Sequence, residues 1–230
     1  MLAELLEVSK YYDQPGSGIR NMVLDKVSLS ISENESIAIV GPSGSGKSTL
    51  LNLLGTLDRP SSGKILLNGM DAALLEDCQV ADIRTRFIGH VFQLHYLLPQ
   101  LTLLENVLLP LLARNRKDDY PASHKRALQL IDRVGLTNRV HQFPYSLSVG
   151  ECQRAAVVRA LINQPRIILA DEPTGSLDAE NADQLGKLLV ELNQEQHTAL
   201  VVVTHSNELA SRMQTMYKLT SGKLHSVENL

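Results

Sequence analysis

Residues 41–49, Gly41-Pro42-Ser43-Gly44-Ser45-Gly46-Lys47-Ser48-Thr49, constrain this chain more than any other stretch. They fit the pattern GxxxxGK[ST], which a chain of this composition produces by accident about once in 250. The apolar run Ser36 to Val40 leads straight into them, and a leucine-rich stretch ending at Gly55 follows. Strand, glycine loop and helix in that order open an α/β unit. Such glycines let backbone N–H groups converge on an anion, and the following helix turns its positive end toward it. The loop is therefore read as a site for a nucleoside triphosphate. Lys47 is expected on the β- and γ-phosphates and Ser48 on Mg²⁺. Gly41, Ser43, Gly44, Ser45, Gly46 and Thr49 complete the candidate binding loop.

A second chemical signal lies at Ile167-Ile-Leu-Ala-Asp171-Glu172, an apolar run ending in two acids. At the carboxyl end of a buried parallel strand, Asp171 faces Mg²⁺ through water, opposite Ser48. Glu172 suits a general base for the attacking water. Between the two signals the character changes. Residues 94–164 are leucine-rich and helical, punctuated by prolines at 99, 110, 121 and 144. There Ala127, Leu130, Ile131 and Val134 share a helical face. Beyond 164, strand and helix alternate again: 167–172, 182–196 and 198–205. Leu209, Met213, Met216 and Tyr217 then read as one core-packing helical stripe. Toward the amino end, residues 22–32 alternate as a half-buried strand, and 61–69 bracket a strand pair with turns at Gly63 and Gly69. The layout is an α/β nucleotide-binding core interrupted by a helical insert.

Composition removes several other classes. At 230 residues with 43% apolar content, the chain has core enough to fold without disulfide or metal staples. Its 22 basic and 25 acidic residues give a net charge of −3, and 4% aromatics with no Trp leave little for base stacking. No nucleic-acid partner is expected. The run 94–113 is broken by Pro99, Gln100, Glu105, Asn106 and Pro110, so it does not span a membrane. With no signal-peptide pattern at the start, a cytoplasmic chain is expected, touching the membrane only through a partner. Cys78 and Cys152 read as small buried hydrophobes.

Leu147-Ser148-Val149-Gly150-Glu151, running into a helix, resembles the signature sequence of ATP-binding-cassette (ABC) ATPases. The other motifs then fall into that family's order along essentially the whole chain. Gln93 resembles the Q-loop glutamine, Ser176-Leu177-Asp178 the D-loop, and His205 the switch histidine. Tyr12 is the best match for the aromatic that stacks on adenine, with Tyr11 as the alternative. The resemblance implies a P-loop NTPase (RecA-like) core with an antiparallel β subdomain, covering 1–93 and 165–230, and a helical signature subdomain over 94–164. It implies an ATPase with ATP and Mg²⁺ as ligands, Gln93 contributing at the metal. The catalytic set is Lys47, Gln93, Glu172 and His205. The nucleotide site is split across a homodimer, Ser148 and Gly150 of one copy facing the phosphate loop, acid pair and His205 of the other, and Asp178 counts among the ATP-binding residues.

Two departures stand out. Val149 occupies the usual first glycine of the signature, where a β-branched residue disfavours positive φ, so weakened closure of the sandwich is expected. Asn34 replaces a frequent glycine and tolerates a left-handed backbone. Residues 92–99, 101–112, 169–175 and 200–205 further resemble the ATPases of lipoprotein release and macrolide export. That implies a permease with a large extracytoplasmic domain and a place on the cytoplasmic face of the inner membrane. Lipoprotein release is the leading expectation. A macrolide-type efflux ATPase and a cell-division or envelope regulator stay open beside it, with a soluble ABC ATPase acting on DNA or ribosomes last. The run 94–113 is a candidate groove for the permease, and Arg114, Arg116, Lys117, Lys125 and Arg126 a basic cluster beside it.

Overall fold

The computed structural model describes residues 1–13, 20–114 and 120–227. In chain order these form β1 (Ala3–Asp13), β2 (Arg20–Ile31), β3 (Ser36–Val40), α1 (Lys47–Leu54), β4 (Ser62–Leu67) and β5 (Met70–Asp71). Then come α2 (Asp77–Phe87), β6 (Ile88–Val91), α3 (Leu103–Leu108), α4 (Tyr120–Arg133) and α5 (Val149–Leu161). The last elements are β7 (Ile167–Asp171), α6 (Ala179–Glu195), β8 (Ala199–Val203), α7 (Asn207–Ala210), β9 (Thr215–Thr220) and β10 (Lys223–Val227).

The strands make two sheets. One is antiparallel, in the order β2-β1-β4-β5; the other runs β10-β9-β3-β8-β7-β6. In the second, β9, β3, β8, β7 and β6 are parallel, and β10 is an antiparallel edge. The central strands are apolar without alternation because both faces are covered. Ala38, Ile168, Ala170, Leu200 and Val202 point into a core shared with the helices α3 to α6. Their neighbours Ile37, Ile39, Ile167, Leu169, Val201 and Val203 pack on α1 and the antiparallel sheet. The molecule is thus layered: antiparallel sheet with α1, central sheet, helices.

Helix α1 is pinned by Leu50, Leu53 and Leu54, all essentially without solvent exposure. Each such side chain contributes about 1.5–3 kcal/mol by leaving water. That anchoring holds the amino end of α1 against the carboxyl ends of β3 and β7, where an open α/β sheet presents its ligand crevice.

Ala127, Leu130, Ile131 and Val134 share a buried face as the 3.6 period requires. The stripe after 208 is different. Only Asn207–Ala210 is helical; Met216 and Tyr217 lie in β9 and face opposite ways, Met216 toward the helical core and Tyr217 toward the other. Spacings of four, three and one satisfy a helix on paper, but adjacent residues of a strand alternate. Asn34 takes φ 60°, as expected for a left-handed turn. Cys152 is buried as expected, whereas Cys78 is exposed on α2, a correction to its reading as a core hydrophobe. Among the described residues no helix is long and apolar enough to cross a membrane.

Candidate functional site

Gly46 caps α1 in a left-handed conformation, φ 101°, with no side chain capping the helix. The first amides of α1 are thereby left without a side-chain acceptor, and no acidic residue sits in the first turn. Only glycine fits, since a Cβ there would lie 2.9 Å from the Val23 carbonyl oxygen. Lys47 is buried, its Nζ donating to the carbonyls of Gly41 at 2.9 Å and Pro42 at 3.0 Å. The ammonium lies folded over its own loop, close to where phosphate oxygens would take over those bonds. Ser43, Gly44 and Ser48 are exposed, Thr49 half-buried, and the Ser45 hydroxyl is buried without a partner.

The acid pair converges on the same point. Ser48 Oγ donates to Asp171 Oδ1 at 3.2 Å, so two hard oxygens stand together at the end of β7. Among the described residues no cluster of three or more His, Cys, Asp or Glu could hold a metal. Mg²⁺ fits such a pair, because it usually takes one or two protein oxygens and completes its octahedron with phosphate oxygens and water. Glu172 adopts φ 45°, a backbone that costs a non-glycine residue about 1–2 kcal/mol. Its Oε2 accepts from the His205 amide at 3.1 Å. Its Oε1 is buried without a well-aligned donor, although His205 Nε2 is 3.2 Å away. The same Nε2 is 3.3 Å from Lys47 Nζ. Lys47, His205 and Glu172 thus meet at the mouth of the loop.

Gln93 is exposed just beyond β6 and lies against the turn after Glu172. Its carbonyl accepts from Ser176 Oγ at 3.4 Å, and its Nε2 is 3.2 Å from where a Gly175 Cβ would stand. Asp178 caps α6, accepting from the Asn181 amide at 2.9 Å, and these bonds hold its carboxyl below the usual range.

Ser148 caps α5 in a reciprocal box: its hydroxyl accepts from Glu151 N at 3.2 Å, and its own amide donates to Glu151 Oε2 at 2.7 Å. Glu151 in turn pairs with Arg139 at 2.9 Å. Gly150 is buried beneath Asn181. Among the described residues no hydrogen bond joins Ser148 or Gly150 to the phosphate loop. Val149 is the first helical residue of α5, 53% exposed, and is not among the positive-φ positions. The expected backbone strain at Val149 is therefore absent; the signature loop takes ordinary helical geometry there.

Tyr12 and Tyr11 are now distinguished by their surroundings. Arg20 covers the Tyr11 ring at 4.6 Å, whereas Tyr12 is 44% exposed beside Thr49 of α1. The Tyr12 hydroxyl donates to Asp58 Oδ2 at 2.8 Å, and Lys10 Nζ sits 4.9 Å from the ring centroid. Neither Asp58 nor Lys10 carries a local sequence signal; they lie 48 residues apart. Of the basic cluster, Arg116 and Lys117 and the side chain of Arg114 lie outside the described residues. Arg126 belongs to the fold, donating to Leu161 O at 3.2 Å and Gln196 Oε1 at 2.8 Å.

Known proteins resemble this chain in sequence and in fold. Residues 24–175 match the family model described as ABC transporter. The "Lipoprotein-releasing system ATP-binding protein LolD 1" of Rhodopirellula baltica is 49% identical over 218 residues, 95% of this chain and 93% of that protein. The LolD protein of Hydrogenovibrio crunogenus is 48% identical over 89% of this chain and 88% of its own length. Among solved structures, the dimeric bacterial ABC transporter cassette MJ0796 superposes with a TM-score of 0.88 at 38% identity, covering 99% of this chain and 100% of that one. A dimeric post-hydrolysis state of MJ0796 bound to ADP and Pi gives 0.88 at 37% identity over the same shares. With its layered fold, its phosphate loop and these relatives, the chain belongs to the ABC transporter family, as one of its ATP-binding cassettes.

Proposed function

We propose that the chain is the ATP-hydrolysing subunit of a lipoprotein-releasing transporter, working as a homodimer on the cytoplasmic face of the inner membrane. The observation that carries the catalytic part is His205 Nε2 standing between the other two groups at the mouth of the phosphate loop, 3.3 Å from Lys47 Nζ and 3.2 Å from Glu172 Oε1. The cargo class rests on the two relatives named for lipoprotein release at 48–49% identity.

The chemistry follows from the side chains. Lys47 Nζ leaves the Gly41 and Pro42 carbonyls for the β- and γ-phosphate oxygens. The buried, donor-poor Oε1 of Glu172 takes a proton from the attacking water as its oxygen bonds to the γ-phosphorus and the bond to the bridging oxygen breaks. His205 orients that water and the γ-phosphate. Ser48 and Asp171 would hold Mg²⁺, which neutralises charge on the β- and γ-oxygens. The Ser148 hydroxyl and the Gly150 amide of a second copy complete the donors, so the barrier falls only in the closed dimer. The 1–93, 165–230 and 94–164 parts serve as nucleotide core and signature lobe.

An open cavity of about 500 Å³, lined by His90, Phe92, Tyr96, Leu109, Pro110 and Arg159, reaches the residue that precedes Gln93 in the chain. It supports the reading that residues 94–113 receive a permease helix, and Gln93 would carry that contact to the nucleotide. The test is mass-spectrometric identification of membrane proteins co-purified with the tagged chain after mild detergent extraction. Recovery of a permease with a large extracytoplasmic domain, its lipoprotein release in vesicles requiring Glu172, is expected. An ATPase with no membrane partner would refute the transporter role.

A further inference from the structure

Tyr12 and the phosphate loop belong to different sheets. Tyr12 lies in β1 of the antiparallel sheet, one residue before its end at Asp13, while the loop joins β3 of the central sheet to α1. For one nucleotide to span both, something must fix the ring relative to α1. The structure assigns that task to Asp58: we infer that Asp58, with Lys10, is a positioning residue that locks the Tyr12 ring as the adenine platform.

The geometry is specific. Asp58 lies just past the carboxyl end of α1, where the amides of Leu57 and Asp58 return to the Asn52 carbonyl at 2.8 and 3.3 Å. The same helix therefore presents the phosphate cradle at one end and Asp58 beyond the other. Asp58 Oδ2 accepts the Tyr12 hydroxyl at 2.8 Å, and Oδ1 accepts Lys10 Nζ at 2.6 Å and the Arg59 amide at 2.7 Å. Lys10 is only 9% exposed and also donates to the Arg59 carbonyl at 2.7 Å, so it is held in place and not free to wander. Its ammonium over the Tyr12 ring adds a second restraint on the ring's tilt. Burial pushes the Asp58 carboxyl up, but the Lys10, Tyr12 and Arg59 donors outweigh it and leave the pKa lowered, so the lock is ionised at neutral pH. With its hydroxyl engaged, Tyr12 offers the base a fixed face and no free donor.

This inference rests on Tyr12 being the adenine platform, and the test separates the two. Affinities for ATP and for inorganic tripolyphosphate are measured by displacement of a ribose-labelled fluorescent ATP. Asp58→Ala and Tyr12→Phe are each expected to weaken ATP about three- to ten-fold, the range of one lost hydrogen bond. Tripolyphosphate, which has no base, should change by less than about two-fold. The double variant should be no weaker than Asp58→Ala alone, since that change already removes the bond to Tyr12. Asp58→Asn, which keeps an acceptor for Tyr12, should recover most of the affinity. Equal weakening of tripolyphosphate, or additive losses, would overturn the lock and make Asp58 a general scaffold residue. Tyr12→Ala leaving ATP affinity intact would overturn the platform itself. A large loss in Tyr12→Ala with none in Asp58→Ala or Tyr12→Phe would sink the lock alone.

Discussion

Replacing Gly46 by alanine measures how tightly the phosphate cradle is built against the antiparallel sheet. The backbone there has φ 101°, and the new Cβ would lie 2.9 Å from the Val23 carbonyl oxygen and 3.0 Å from Leu24 Cδ2. A left-handed backbone costs an L-residue about 1–2 kcal/mol. Crowding against packed backbone adds about 1–3 kcal/mol, and the stiffer unfolded chain returns about 0.4–1 kcal/mol. The net loss is about 1–4.6 kcal/mol. Gly44→Ala is the matched control, because φ is 76° with nothing within 4 Å. It keeps the backbone cost without the clash, for a net of about 0–1.5 kcal/mol. Urea unfolding without nucleotide, followed by far-ultraviolet circular dichroism, reads both variants. The difference should be about 1–3 kcal/mol, the crowding contribution alone. Equal losses would show that β2 yields and that the close approach constrains nothing.

His90, which lines the same cavity as Phe92, supplies a pH signature. Burial, partly opposed by a bond with the Gly55 backbone and helped by the nearby Arg84 charge, lowers its pKa from 6.5 to about 4. The unfolded chain, at an ordinary 6.5, takes up the proton first, so stability is full above pH 6.5 and is lost as pH falls toward 4. Between pH 7 and 5 the loss should be about 2 kcal/mol. His90→Gln should flatten this fall in pH-dependent urea titrations; an unchanged slope would contradict the burial argument. His95 is shifted the same way and remains in the variant as background. Val149→Gly should lower stability by up to about 1 kcal/mol through lost helix propensity. A stabilised variant would mean that the native backbone is strained.

What was legible in the sequence was what is local. The loop 41–49 and the strand ending in Asp171-Glu172 each place their chemistry within a few residues of backbone, so their motif types survive as pattern. The signature was legible too, yet the inference that Val149 needs positive φ failed because Ser148 already caps the helix with extended backbone. The stripe 208–219 misled because Leu209, Met213, Met216 and Tyr217 fit a helical period, while β9 is set by pairing with β3 at Ile37 to Val40, some 178 residues away. The Tyr12 lock is illegible for the same reason, its partner Asp58 being 46 residues away along the chain and brought to the ring only by tertiary packing.

The most direct measurement on the proposed mechanism is sedimentation velocity of Glu172→Gln with and without MgATP, beside phosphate release by the parent chain. Loss of a general base should slow hydrolysis about 10²- to 10⁴-fold. ATP held between Lys47 of one copy and Ser148 of the other should then accumulate as a dimer that disperses when ATP is removed. A variant that stays monomeric in MgATP, or one that hydrolyses ATP at the parent rate, would contradict the shared site and the role of Glu172.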